Sequence, residues 1–359
     1  MNKKTTPSNN DKTVFMGAVN QRSHPTCGET AKNQALVTHL RRRGYNVVVI
    51  DTYRWKTSPL VLLRVMTYML FNRDRGLIIS AATHSANKLM KLIRLFPRPG
   101  NLYYFVVGGS FAQRVREGRY KAKHYRPCNR IFVQGREMVS VLKKCGLTNV
   151  EYLPNFRHFP IIPSNSVASR SDFPCGRSEL RFVFISRIHE KKGVFLLLDA
   201  IHKVNTLMGG FDGYSVDFWG PIDQKPKVKF FDRLGTLPNA HYMGILDTQS
   251  EHGYSTLSAY DAMIFPTYWD GEGFPGVVID AFIAGLPILA SRWNMNPEII
   301  EEGVLGILFE PKDETALAQT LMGVINEPAS LRAMSFQCKE ESMKYHADTV
   351  LGQIDFSTN

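Results

Sequence analysis

Residues 268–291 read YWDGEGFPGVVIDAFIAGLPILAS. Upstream, DAMIFP (261–266) is a short apolar run that ends at a proline. The loop that follows holds Asp270, Gly271, Glu272, Gly273 and Pro275. A helix is predicted from near Gly276, stopped by Gly285 in the manner of a C-terminal cap. GLPILAS (285–291) then carries another strand. Two apolar strands flanking an apolar helix, with a loop between the first strand and the helix, describe a parallel βαβ unit buried on both faces. The loop glycines let backbone come close to a ligand. The N–H groups of Phe274, Gly276 and Val277, on either side of Pro275, open a helix, where an anion is favoured. Glu272 lies in the loop, and Asp280 is expected about one turn into the helix on the same side. A carboxylate there can accept hydrogen bonds from a vicinal diol such as ribose.

The same alternation extends outward in both directions. RFVFIS (181–186) and YSVDFWG (214–220) are strands of the same series. Between them SRIHEKKG (186–193) follows a strand and opens a helix, with Arg187 and Lys192 at its two ends. Two cations at a helix start suit a diphosphate. Further upstream, Val14–Val19, Val47–Ile50, Leu77–Ser80, Tyr103–Val107, Arg130–Val133 and Val150–Leu153 are strand candidates, with a helix from about Glu29 to Arg43 closed by Gly44. Two α/β series therefore predict two Rossmann-like domains with parallel sheets facing across a cleft, where ligands bind at the strands' carboxyl ends. The expected division is a disordered tail over 1–12, an N-terminal domain over 13–157, a Ser- and Pro-rich linker over 158–179, a C-terminal nucleotide-binding domain over 180–335, and a tail over 336–359 that packs back on the N-terminal domain.

Taken together, these strings resemble glycosyltransferase family 4, the retaining, metal-independent group 1 enzymes of the GT-B fold. The family's pair of acids with seven residues between them is matched by EGFPGVVID, Glu272 to Asp280. Its Arg-x4-Lys-Gly element is matched by Arg187, Lys192 and Gly193. HYMGILD (241–247) resembles the segment lining the base pocket, which puts Met243 and Gly244 among the donor contacts. The loop PTCGET resembles the family's first loop and places Gly28 near the sugar. The resemblance implies that Arg187 and Lys192 stabilise the leaving diphosphate, Glu272 orients the donor sugar and Asp280 holds the ribose. The sequence departs from the family in two places. The second acid is Asp where Glu is usual, and VVGGSF (106–111) has Gly108 and Gly109 where many members carry a His. Gly109 and His84, at the end of LIISAATH, are candidate contacts for donor or acceptor.

The motifs for other chemistries are missing. No GxGxxG follows the first strand, and there is no GxxxxGK[ST] or GxSxG. No His, Cys or carboxylate spacing suggests a metal, so none is expected, and the nucleotide sugar is a substrate, with no cofactor. Five scattered cysteines fit free thiols in a reducing compartment. Residues 1–157 hold 28 Lys and Arg against 7 Asp and Glu, a net of +21, while residues 158–359 carry a net of −9. So basic a domain attracts an anionic partner. KLMKLIRLFPR (88–98) spaces Lys88, Lys91 and Arg94 one helical turn apart among apolar residues, a pattern that can lie on an anionic bilayer or pack as a core helix with a basic edge. SPLVLLRVMTYMLFNR (58–73) is expected in the core. No nucleic-acid-binding motif accompanies the charge. No apolar run reaches 18 residues and no secretory leader is visible, so the protein is expected in the cytoplasm, against the inner face of the membrane.

The function implied is transfer of a hexosyl unit from a UDP- or GDP-sugar to a glycan, lipid-linked, in capsule, lipopolysaccharide or other surface polysaccharide synthesis. Two alternatives stand beside it: a nucleotide-sugar epimerase of the same fold, and a non-catalytic nucleotide-sugar-binding subunit.

Overall fold

The computed structural model describes residues 12–20, 28–53, 55, 59–71, 76–96, 100–159, 179–354 and 356. The chain divides into two compact units. The first contains residues up to His158 together with those from Tyr345 onward, and the second is Phe159–Lys344. Each is built on a six-stranded, wholly parallel sheet with helices between the strands.

The first sheet has strands β1 (Lys12–Gly17), β2 (Asn46–Asp51), β3 (Leu77–Ala82), β4 (Leu102–Val107), β5 (Arg130–Val133) and β6 (Val150–Tyr152), in the order β2-β1-β3-β4-β5-β6. Its helices are α1 (Gly28–Arg42), α2 (Pro59–Phe71), α3 (Thr83–Ile93), α4 (Phe111–Arg116) and α5 (Arg136–Lys144). The second sheet has β7 (Leu180–Ile185), β8 (Tyr214–Trp219), β9 (Ala240–Gly244), β10 (Ala262–Phe265), β11 (Ile288–Ser291) and β12 (Gly306–Phe309), in the order β12-β11-β10-β7-β8-β9. Helices α6 (Val194–Met208), α7 (Lys227–Leu234), α8 (Glu251–Ser258), α9 (Gly276–Ala284), α10 (Asn296–Ile299), α11 (Glu314–Asn326) and α12 (Ala329–Ser342) accompany it, and α13 (Ala347–Leu351) returns to the first unit.

Near-continuous apolar strands such as LYYFVV and LRFVFI can only be buried on both faces, which is why both sheets are parallel and covered. In the second unit Phe182, Phe184, Val216 and Phe218 pack with Leu197, Leu198 and Ile201 of α6 and Leu317 and Leu321 of α11. In the first, Phe15, Ile78 and Phe105 pack with Leu36 and Leu40 of α1 and with Val350, Leu351 and Phe356 of the returning segment. The Phe356 ring meets Tyr45, Tyr103 and Phe105 at centroid distances of 6.0, 5.5 and 6.1 Å. Backbone bonds tie the return in place: Arg157 N–H donates to Tyr345 O at 2.9 Å, and Ala347 N–H donates to Arg157 O at 2.8 Å.

Several expectations shift. Lys12, placed in the tail, opens β1, while residues 1–11 and the core of the linker, 160–178, lie outside the described residues. Strand β12 was not foreseen, and the base-pocket segment contains a strand, β9. The tail expected from 336 starts later. Leu331 and Cys338 of α12 are buried in the second unit, and Ser335 Oγ donates to Gly285 O at 2.6 Å, so the return begins at Tyr345. Helix α2 is not a core helix throughout: Val65 and Tyr68 are buried, but Leu60, Leu63, Leu70 and Phe71 are exposed, Phe71 by 78%. Among the described residues no helix is long and apolar enough to cross a membrane.

Candidate functional site

In the second sheet the strand order reverses between β7 and β10, and the crevice at such a point is where open α/β sheets take ligands. The loop after β7 runs from Ser186 to Gly193. Ile188 is fully buried and pairs with Ile222 beyond β8. A 3-10 turn, Glu190–Lys192, follows, capped by the His189 ring, which accepts from the Lys191 N–H at 3.0 Å. Gly193 then turns with φ +80, and a Cβ there would lie 2.1 Å from Pro266 O. Only glycine fits both the left-handed turn and this close approach. The two loops are joined further by Tyr268 N–H, which donates to Lys191 O at 2.9 Å.

This stitching brings Lys192 Nζ to 2.5 Å from Glu272 Oε2. The hydroxyl of fully buried Thr267 donates to the same oxygen at 3.0 Å. Both charged side chains are largely shielded, at 19% and 12% exposure, so their attraction is much less screened than on an open surface. The Trp269 ring lies 5.8 Å from the Lys192 ammonium and meets the His189 ring edge-on at 5.0 Å. Beside this pair, Lys191 and Asp270 form an exposed one at 2.7 Å. The hydrogen bond from Lys191 holds the Asp270 carboxyl below its ordinary value. The end of β11 braces the acid loop: Ser291 Oγ donates to Thr267 O, the Trp293 indole N–H to Trp269 O at 3.0 Å, and Asn294 to Trp269 O at 3.2 Å. Asn294 holds a left-handed backbone, φ 46, at this contact.

The other residues singled out in the sequence fall as follows. Arg187 is exposed beyond β7, with its Nε 3.9 Å from Asp223 Oδ1. Phe274 and Pro275 are buried ahead of α9, and Gly276 and Val277 form its first turn, where helix N–H groups have no intrahelical acceptor. Asp280 stands just past the first turn of α9 and is 2% exposed, with Thr248 Oγ1 donating to its Oδ2 at 2.8 Å. Met243 and Gly244 close β9, and Gly244, at φ +91, accepts the Gly220 N–H at 2.7 Å. Gly28, His84 and Gly109 belong to the first unit. Gly28 is the first residue of α1 rather than a loop residue; His84 is exposed at the start of α3; Gly109 lies between β4 and α4. Thr267, Thr248, Trp293 and Asn294 were missed, and the one sequence signal for them is position, directly after or between strands.

Residues 179–327 match the family described as Glycosyl transferases group 1. The match falls inside the second unit, and it is this segment of the chain that is similar to the family. The second-unit site residues, from Ser186 to Asn294, lie inside the matched segment, and Gly28, His84 and Gly109 lie outside it. An exopolysaccharide phosphotransferase of Streptomyces coelicolor is 33% identical over 143 residues, 39% of this chain and 15% of that protein. An amylovoran biosynthesis glycosyltransferase of Erwinia amylovora is 28% identical over 151 residues, 40% of this chain and 35% of that protein. The chain thus spans well under half the length of either relative. The solved structure of HepE from Anabaena in complex with UDP is similar with a TM-score of 0.65, at 15% identity, over 96% of this chain and 98% of that one. The two-sheet α/β architecture is the GT-B fold.

Among the described residues one group of side chains could hold a metal ion: His158, His346 and Asp348, in the first unit. The Arg42 guanidinium contacts His158 Nε2, and His39 Nδ1 lies 2.8 Å from Asp348 Oδ1. A cation and a hydrogen bond already engage two of the three candidate ligands, which disfavours a second cation there.

Proposed function

We propose that the chain is a retaining glycosyltransferase that moves a hexosyl unit from a UDP- or GDP-sugar to a lipid-linked glycan in surface polysaccharide synthesis. The observation that carries the reading is the Lys192–Glu272 contact at the switch point of the second sheet, beside the first turn of α9. Lys192, Arg187 and the α9 N–H groups offer preorganised positive charge to a departing diphosphate, the task a metal performs elsewhere. Both described bonds to Glu272 end on Oε2, which leaves Oε1 to accept from hydroxyls of the donor sugar. Asp280, with Thr248, would hold the ribose, and Met243 and Gly244 the base. Gly28 would lie near the donor sugar, and His84 and Gly109 would contact donor or acceptor. A neighbour in fold that binds UDP, and relatives named for exopolysaccharide and amylovoran, support the donor and acceptor classes.

The basic first unit would bring the enzyme to the anionic inner face of the membrane. Lys88 and Lys91 on α3 and Arg94 at its C-terminal cap, with exposed Leu95 beside them, support this, as do the outward Leu60, Leu63, Leu70 and Phe71 of α2.

The test is a thermal-shift screen over UDP, GDP, ADP and their sugars, followed by turnover with the best donor in the presence and absence of glycolipid acceptor and of EDTA. Acceptor-dependent nucleotide release with retained anomeric configuration, unchanged by EDTA, is expected. Epimerised donor without acceptor would replace this reading with the epimerase, and binding without turnover would replace it with a binding subunit.

A further inference from the structure

The first unit carries a buried lysine at its own switch point. Its strand order reverses between β1 and β3, and α1 starts there. Four polar side chains on the first two turns of α1 bond to backbone at the strand ends. Glu29 Oε1 accepts the Ala82 N–H at 3.0 Å, after β3. Lys32 Nζ donates to Val106 O at 3.2 Å, near the end of β4. Asn33 donates to Ala18 O and Ser80 O at 3.0 and 3.1 Å and accepts from Ser80 Oγ. Gln34 donates to Val19 O at 2.9 Å.

Asn33 thereby uses both amide protons and its oxygen. Lys32 does not balance in this way. It is 2% exposed, its ammonium has three protons, and among the described residues it has one hydrogen-bond acceptor and no ion pair. The Phe105 ring lies 5.9 Å away. A buried cation so thinly served costs folding stability that an apolar residue of the same length would restore. Stability given up at a ligand-binding edge is the usual mark of a residue kept for activity.

What Lys32 and Glu29 hold is informative. Val106 leads directly into Val107, whose carbonyl takes the Thr83 hydroxyl at 3.3 Å, and then into the turn at Gly108, φ +93, and Gly109. Ala82 leads into Thr83 and His84. We propose that Lys32 is a positioning residue: through Val106 it fixes the Gly108–Gly109 turn, as Glu29 fixes the start of α3 through Ala82, for an oxygen-rich substrate at this edge. Its part in turnover rests on the transferase reading above.

Burial draws the Lys32 ammonium down to about 7, with the Glu29 charge opposing, and burial pushes the Glu29 carboxyl up. The other titratable group that feels Glu29 is Tyr104, on β4, held well above its ordinary value by burial. The folded value for Lys32 lies below the unfolded 10.5, so between about 7 and 10.5 the unfolded chain binds the extra proton. Folded stability gains as pH rises through that window.

The experiment compares the full chain with Lys32→Met and Lys32→Gln. Lys32→Met should melt above wild type at pH 7, and the gap should narrow towards pH 10. Amide exchange over residues 107–110 should nevertheless quicken in Lys32→Met by about tenfold, a local loosening in a protein made more stable as a whole. With a donor that wild type turns over, kcat should fall about tenfold or more at little change in donor KM, and the wild-type decline of kcat above pH 7 should be missing from the variant. A melting gap that stays constant with pH, or unchanged exchange over 107–110, overturns the proposal. Both readouts need no substrate, so failure of the transferase reading alone would show as absent turnover in wild type with the stability and exchange effects intact.

Discussion

Lys192 Nζ stands 2.5 Å from Glu272 Oε2, and that oxygen also takes the hydroxyl of Thr267, so cation and acid form one unit in which a change at either is felt at the other. Glu272→Gln should therefore separate binding from chemistry. It leaves the Lys192 charge uncompensated, so UDP or GDP should bind as tightly as to wild type or more so, while transfer falls by about 10²–10³. Lys192→Ala and Arg187→Ala should weaken nucleotide binding and slow transfer together. Calorimetric titration with the nucleotide, beside turnover of its sugar, distinguishes the three variants. Weaker nucleotide binding by Glu272→Gln would count against the coupling.

Asp280 has two duties that can be told apart. It is buried with a bond from Thr248, so Asp280→Ala should cost about 1–3 kcal/mol of stability through the unpaired hydroxyl alone. If it also meets ribose, Asp280→Asn should raise donor KM several-fold, because charge-assisted hydrogen bonds are roughly twice as strong as neutral ones. Thr248→Val should lose stability with a smaller effect on KM. Denaturant unfolding and donor-titration kinetics on the same three proteins give the answer, and an unchanged KM for Asp280→Asn makes the residue purely structural.

Acid should loosen the returning segment first. Burial holds His39 below its usual 6.5, and burial, then Arg42, does the same to His158. Arg43 and His346 add repulsion at His39. Because the folded values are depressed, the unfolded chain takes up protons first, and stability is lost as pH falls below about 6.5. Asp348 works at lower pH: burial, the largest influence, would raise it, but the His39 bond together with the charges of His346, His39 and His158 lowers it overall, so its contribution goes only below its ordinary 3.8. Hydrogen exchange of the α13 amides should accelerate between pH 7 and pH 5, relative to the β7 amides. Parallel changes in both would mean that α13 has no separate opening.

The membrane proposal predicts salt-dependent flotation with anionic vesicles. Reversing Lys88, Lys91 and Arg94 together should abolish it, since each basic residue at such a surface contributes about 1 kcal/mol. Leu63→Ser with Phe71→Ser should leave the salt dependence but lower retention. Equal binding to neutral vesicles would remove the electrostatic account.

The parallel sheets and the place of the acid loop were readable because their signals are local: apolar runs, glycines and a helix start within 24 residues of one another. What periodicity could not supply was orientation. Helix α9, GVVIDAFIA, is apolar almost all round, so periodicity could not say which way Asp280 faces, and it faces in. Helix α2, PLVLLRVMTYMLF, misled in the opposite sense, since an all-apolar string reads as core although four of its side chains face out. Glu29 and Lys32 escaped notice because charged residues on a first turn are ordinarily solvated. Their burial follows from strand order, which brings β3 and β4 beside α1 from more than 50 residues away. Thr267 and Asn294 likewise gained meaning only once β10 and β11 were seen to be neighbours.

The return of Tyr345–Phe356 to the first unit has a consequence for biosynthesis. Phe356, Leu351 and Val350 fill the core beside β1, β3 and β4, so that core is incomplete until the last of them has left the ribosome. The second unit, Phe159–Lys344, has by then been synthesised entire. The usual vectorial order, N-terminal domain first, is inverted in this chain. A nascent chain stalled short of residue 345 would present a finished second unit behind an unfinished first one, with the aromatic pocket of Tyr45, Tyr103 and Phe105 open to whatever waits at the exit tunnel.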